Sequence, residues 1–213
     1  KPAMTSLKQI CRLACDVQHY TWGERLHTGQ VPYIADLLAL PPQPGTPYAE
    51  LWIGAHPDMP SRLQASGTAI PLDELIAAHS QEILGPQVLD AGFSTLPFLL
   101  KVLSCEAPLS IQAHPDLDLA AQLHRSDPTH YPDSNHKPEI AIALTDFEAL
   151  CQFRCESAIH TDFQRLPMLA DLAAAAAPAA AAWLQSVYAA LFRLPDTAVV
   201  TVLEALLRHL RSA

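Results

Sequence analysis

The chain has 213 residues, 13 of them Lys or Arg against 22 Asp or Glu, so its formal net charge is -9. That balance excludes non-specific binding to nucleic acid or an anionic membrane, since both need a basic footprint. With 50% hydrophobic and 16% charged residues, the chain reads as a globular core-former of one large or two small domains, not as a disordered segment.

Residues 5–155 hold most of the prolines, and short apolar runs alternate there with turn signals such as Pro41-Pro42-Gln43-Pro44-Gly45. The pattern predicts many short strands. A helix is expected over about Leu72 to Ile83, closed by Gly85 and Pro86. A core-like apolar run follows at Leu96 to Leu103, and then an alternating stretch, Leu109 to His114. A second helix is expected after His114-Pro115, through Asp116, Leu119, Ala120 and Leu123. Ser126 to Asn135 reads as a surface loop, and Glu139 to Leu144 as another strand. Residues 156–213 are Ala- and Leu-rich. Pro178 is placed to open a helix running through Trp183 to about Phe192. Asp196 reads as the N-cap of another, with Val199, Val200, Leu203, Leu206, Leu207 and Leu210 at helical spacing. That last apolar face reads as core, with a partner interface as the rival reading.

Several chemistries are excluded by what is missing. The seven glycines end at Gly92, and none are spaced as in a Walker loop or a dinucleotide fingerprint. There is no G-x-S-x-G elbow. The five cysteines (Cys11, Cys15, Cys105, Cys151, Cys155) are odd in number and do not read as a disulfide framework; buried, reduced thiols are expected. The apolar run Leu172 to Leu184 is mostly Ala and is too short to span a bilayer. No export signal opens the chain, so a cytoplasmic location is expected, with neither membrane nor nucleic acid as partner.

Chemistry concentrates between Leu96 and Leu144. On a strand, Ser110, Gln112 and His114 share one face and Leu109, Ile111 and Ala113 the other. Such a face is either solvated surface or a site. Glu139 opens the next strand-like stretch, and beside the first it brings an amide oxygen, an imidazole and a carboxylate together. That mixed N/O set suits Zn2+ or another first-row divalent ion. Only four lysines occur, and Lys101 lies inside the run Leu96 to Leu103. An ammonium there is costly without a partner. Either a salt bridge to Glu50 or Glu139 answers it, or it acts on an anion or a proton near the metal.

Three stretches then carry a resemblance: Leu96-Pro-Phe-Leu-Leu-Lys-Val-Leu103, Pro108-Leu-Ser-Ile-Gln-Ala-His-Pro115 and Asn135-His-Lys-Pro-Glu139. With Tyr20-Thr-Trp-Gly23, Tyr48-Ala-Glu-Leu-Trp-Ile-Gly-Ala-His-Pro57 and Ala149 to Arg154, they resemble the signature of the type I mannose-6-phosphate isomerases over about residues 10–155. The resemblance implies a mainly β, cupin or jelly-roll-type barrel, present in part over 5–155, followed by a small all-α domain over 156–213. It implies a zinc-dependent aldose–ketose isomerase acting on a hexose 6-phosphate, mannose 6-phosphate to fructose 6-phosphate, in carbohydrate metabolism toward GDP-mannose. One Zn2+ per full-length chain is expected, with Gln112, His114 and Glu139 as three of its ligands. Lys137 and His136 are implied as catalytic residues, and Ser110, Lys101, Trp22 and Glu50 as substrate-binding ones. Members of the family are longer and supply a fourth ligand and a C-terminal β domain later in the chain. The resemblance therefore implies an N-terminal portion. The rivals are a non-catalytic cupin that senses sugar phosphate or metal, and an interaction module built on the helical part.

Overall fold

The computed structural model describes residues 10–65, 68–170 and 183–212. Contacts divide the chain into two compact units, Lys1–Pro138 and Glu139–Ala213. The helix start at Pro178 and the lysines Lys1 and Lys8 lie outside the described residues.

The first unit is built on two three-stranded antiparallel sheets. One has the order β1 (Leu13–Ala14), β4 (Arg62–Ala65), β5 (Thr68–Pro71); the other has β2 (Val17–Gln18), β3 (Glu50–Ile53), β6 (Leu100–Leu103). The strands are short, as the spacing of turn residues predicts. Chain direction passes from one sheet to the other between Ala14 and Val17, and Asp16 marks the crossing. Its carboxylate takes a bidentate grip from Arg62 on β4 at 2.6 and 2.7 Å, and its carbonyl accepts the Trp52 N–H on β3. Fork-shaped guanidinium pairing adds geometric as well as electrostatic preference.

Alternation along β3 sorts its side chains into two groups. Leu51 and Ile53 join Ile34, Ala35, Tyr48, Val17 and Val102 in an apolar cluster under the helix α1 (Tyr33–Leu37). Glu50 and Trp52 point the other way. Register across the β3–β6 ladder sets Trp52 opposite Lys101 and Glu50 opposite Leu103, so these four side chains share the second face.

The helix expected over Leu72 to Ile83 is instead three pieces: α2 (Leu72–Ala78), α3 (Ser80–Ile83) and α4 (Gly85–Asp90). His79, with φ -139°, interrupts the first break, and Gly85, with φ +75°, sits at the second. Gly85 thus opens α4 after the turn rather than ending the segment; its left-handed backbone is open to a residue without Cβ. Ile76, Leu84 and Ala55 form the second core cluster. α5 (Leu117–Ser126) matches expectation, with the Asp116 carboxylate accepting the Leu119 N–H at 2.8 Å as its N-cap.

Two expected strands are absent. Residues 109–114 and 139–144 carry no strand. Alternation alone does not make a strand: a ladder needs a second backbone to hydrogen-bond, and no described segment pairs with either stretch. Ile111, Ile140, Ile142 and Leu144 are accordingly 67 to 88% exposed.

In the second unit, α6 (Glu156–Arg165) and the helix Trp183–Leu191 pack through Phe163, Trp183, Val187 and Leu191. Phe163 meets Trp183 edge to face at 5.9 Å. The last helix, Asp196–Ser212, follows the expected spacing. Its apolar face corrects the core reading: Val200, Leu203, Leu207 and Leu210 are each at least half exposed.

No disulfide joins the cysteines among the described residues, and they are not the buried thiols that the sequence predicts. Cys11, Cys151 and Cys155 are exposed and Cys15 and Cys105 half-buried. The exposed three lie outside the described strands and helices, where no layer covers them.

Gly23 is needed for a close approach. A Cβ there would stand 2.7 Å from the backbone of Ala49, which forbids a side chain without moving the lead into β3. Gly23→Ala is expected to destabilise the fold by about 1–3 kcal/mol, as overpacking does, read as a lower urea midpoint with unchanged m-value. Ile34 is fully buried, and Ile34→Ala is expected to cost about 2–5 kcal/mol in the same experiment.

Candidate functional site

A cavity of about 280 Å³ opens on the second face of the β3–β6 ladder, lined by Tyr20, Trp22, Glu50, Lys101, Leu109, Ser110 and Gln112. The segments that form it come from four places in the chain. Tyr20 and Trp22 stand on the turn before Gly23, where Gly23 N–H bonds back to the Tyr20 carbonyl. Their rings stack at 5.8 Å, and the Trp22 carbonyl accepts N–H groups of Glu106 and Ala107. Glu50 comes from β3, Lys101 from β6, and Leu109, Ser110 and Gln112 from the segment that precedes α5.

The charge in the cavity is organised around Glu50. This residue is 7% exposed, so its carboxylate needs compensation. Lys101 Nζ lies 3.1 Å from Glu50 Oε2, and the Trp52 indole N–H donates to the same oxygen at 2.6 Å. Lys101 Nζ also sits over the Trp52 ring, 4.7 Å from its centre. Of the two partners expected for Lys101, the structure shows Glu50. The ion pair does not remove Lys101 from the cavity: its side chain is still 35% exposed.

Five of the residues singled out from the sequence therefore meet here: Trp22, Glu50, Lys101, Ser110 and Gln112. The other four do not line the cavity. His114 lies two residues beyond Gln112, just before Pro115. Lys137 pairs with Asp133 at 3.3 Å and is about half exposed. Its neighbour His136 is exposed, and Glu139 begins the second unit. Among the described residues, no group of three or more His, Cys, Asp and Glu side chains is placed to hold a metal ion; the set Gln112, His114 and Glu139 contains only two residues of those types.

Tyr20 and Leu109 were not singled out. The signal for Tyr20 was its place two residues before Trp22 in a turn, a spacing that says nothing of direction until Gly23 is docked. Burial, first, and the negative charge of Glu50 and then of Asp58 hold the Tyr20 phenol above its usual value. It therefore stays a neutral O–H donor across the neutral range. The sign for stability follows: a phenol pKa raised by folding leaves stability intact below the ordinary tyrosine range, and stability falls as pH rises through it. Titrating Tyr20 by ring-carbon NMR should show the raised value. Glu50→Gln should bring it part of the way down, leaving the larger share that burial causes.

Comparison with known proteins bears on this geometry. The family profile described as phosphomannose isomerase type I, catalytic domain, matches residues 10–156. A mannose-6-phosphate isomerase of Ogataea parapolymorpha is 44% identical over 174 residues, covering 79% of this chain and 40% of its own length. That of Homo sapiens is 43% identical over 162 residues, covering 75% and 38%. A crystal structure of a phosphomannose isomerase mutant from Salmonella typhimurium matches with TM-score 0.78 at 31% identity, over 94% of this chain and 52% of that one. Another, of mannose 6-phosphate isomerase bound with zinc and yttrium, matches with TM-score 0.77 at 30% identity over the same shares. The chain thus spans about two fifths of the length of these curated relatives. The family profile over residues 10–156, identities above two fifths, and a matching fold leave one conclusion: the chain belongs to the type I phosphomannose isomerase family.

Proposed function

We propose that this chain carries the sugar-phosphate pocket of a zinc-dependent aldose–ketose isomerase that interconverts mannose 6-phosphate and fructose 6-phosphate. The observation that carries the reading is the cavity itself. Five residues that the family resemblance implies for substrate or metal line one space of about 280 Å³, near the lower end of the range for small-molecule sites. The relatives are named as isomerases, which favours turnover over a sensor.

The residues suit their roles chemically. Lys101 and Ser110 offer an ammonium and a hydroxyl to phosphate or sugar oxygens, with no Gly-rich loop needed. The stacked Tyr20 and Trp22 rings present an apolar wall to the C–H face of a sugar. Glu50 can accept from a sugar hydroxyl while Lys101 and Trp52 hold it. Gln112, His114 and Glu139 are the donors this reading assigns to Zn2+; an amide oxygen, an imidazole and a carboxylate are a fitting set for it. When bound, the ion supplies charge stabilisation for a developing enediolate oxygen. Lys137 and His136 are assigned the proton transfers: the C2 proton of the open-chain aldose is taken up and a proton is returned at C1, while the hydroxyl proton passes from O2 to O1, giving the ketose.

On the same reading, residues 5–155 contribute part of a cupin-type barrel and 156–213 a small helical domain. The site of action is the cytoplasm. No helix among the described residues is long and apolar enough to cross a membrane.

Elemental analysis of the purified chain beside a Glu139→Ala variant tests the donor set. Near-stoichiometric zinc that is lost in the variant is the expected result, and zinc unaffected by Glu139→Ala sinks the assignment. Calorimetric titration with mannose 6-phosphate tests the pocket. Lys101→Met should weaken binding by about tenfold or more, the cost of one charge-assisted hydrogen bond; unchanged affinity would remove Lys101 from the substrate's contacts.

A further inference from the structure

We infer that Trp52, which does not line the cavity, is the positioning residue that sets the Glu50–Lys101 pair for the sugar phosphate. The inference rests on the pocket reading above and goes beyond it, since Trp52 has no place among the substrate-binding or metal-donor residues.

Three contacts converge on the indole. Its N–H donates to Glu50 Oε2 at 2.6 Å, a buried bond between residues that alternate onto the same face of β3. Its ring lies under the Lys101 ammonium at 4.7 Å. His56 meets it edge-on at 4.8 Å. Trp52 is itself only 8% exposed, so the ring is largely confined.

The consequence is electrostatic as well as steric. Glu50 Oε2 receives both Lys101 Nζ, at 3.1 Å, and the indole N–H. With that one oxygen doubly held, a swing that would offer both carboxylate oxygens to the ammonium costs the indole bond. Glu50 Oε1 stays available to a hydroxyl, and the ammonium, tethered on one side and resting on a π face, keeps donors for an incoming oxygen. Without the indole N–H, Glu50 and Lys101 are free to close on each other and to withdraw their polar atoms from substrate. Side chains locked by a supporting hydrogen bond hold a site in productive geometry; unlocked, they lose affinity.

A double-mutant cycle on the full chain tests this. Trp52→Phe keeps an aromatic ring under the Lys101 ammonium and removes the N–H. It should weaken mannose 6-phosphate binding by about tenfold in the native background and by less than about twofold in a Glu50→Ala background, because the effect acts through Glu50. A merely structural role predicts the same loss in both backgrounds, and that result, or no loss in either, overturns the proposal. The second measurement needs no ligand. The Trp52 indole proton should be shifted downfield and slowed in exchange by its carboxylate acceptor, and both effects should diminish in Glu50→Gln, which keeps the side chain's length if Glu50→Ala fails to fold. An indole proton indifferent to residue 50 overturns the proposal outright. If the proton responds but the native chain binds no mannose 6-phosphate, the pocket reading is what fails, and the positioning role fails with it.

Discussion

A carboxylate buried inside a sheet face is the constraint on which the rest of the site depends. Glu50 cannot remain charged at 7% exposure without partners, and the β3–β6 ladder supplies them. Antiparallel register puts Lys101 opposite Trp52, within reach of the carboxylate two residues away on the same face. Shifting that register by one residue would turn Lys101 to the opposite face and leave the charge uncompensated. The ion pair therefore ties the pairing of two strands far apart in sequence to the chemistry of the cavity.

Around that pair, close packing and crossings do the placing. Gly23 lets the chain press against Ala49, which carries Tyr20 and Trp22 to the cavity that Glu50 lines. Asp16, gripped by Arg62 and bonded to the Trp52 backbone, joins the two sheets behind the same strand. The Gly23 approach and the Asp16 carbonyl bond involve β3 or the residue leading into it, and the Arg62 grip ties β4 to the same crossing. The pocket is thus built on one strand, with Leu109, Ser110 and Gln112, which carry no strand, completing its lining.

Much of the site was legible in advance because its residues are chemically awkward where they stand. A lysine inside an apolar run asks for a partner, and polar side chains alternating along Leu109 to His114 suggest a common face. Ser110 and Gln112 do reach one cavity. The inference of a strand there failed for a physical reason: alternation describes side-chain direction, while a strand also needs a neighbouring backbone. The same reason applies to 139–144, whose isoleucines stand exposed. On the last helix, the spacing of Leu203, Leu207 and Leu210 located an apolar face correctly and said nothing of whether anything covers it.

By itself, then, the sequence singled out five side chains that line one cavity, the short strands of the first part, the helix after His114-Pro115, and, through its motifs, the family. Those are properties of residue type and of spacing along one chain. Only the tertiary structure decided that Lys101 answers Glu50 rather than Glu139, that Tyr20 joins Trp22 at the cavity, and that Trp52 stands behind both charges. Each of those depends on register and on close approach between segments distant in sequence, and local periodicity carries no information about which backbone a strand will meet.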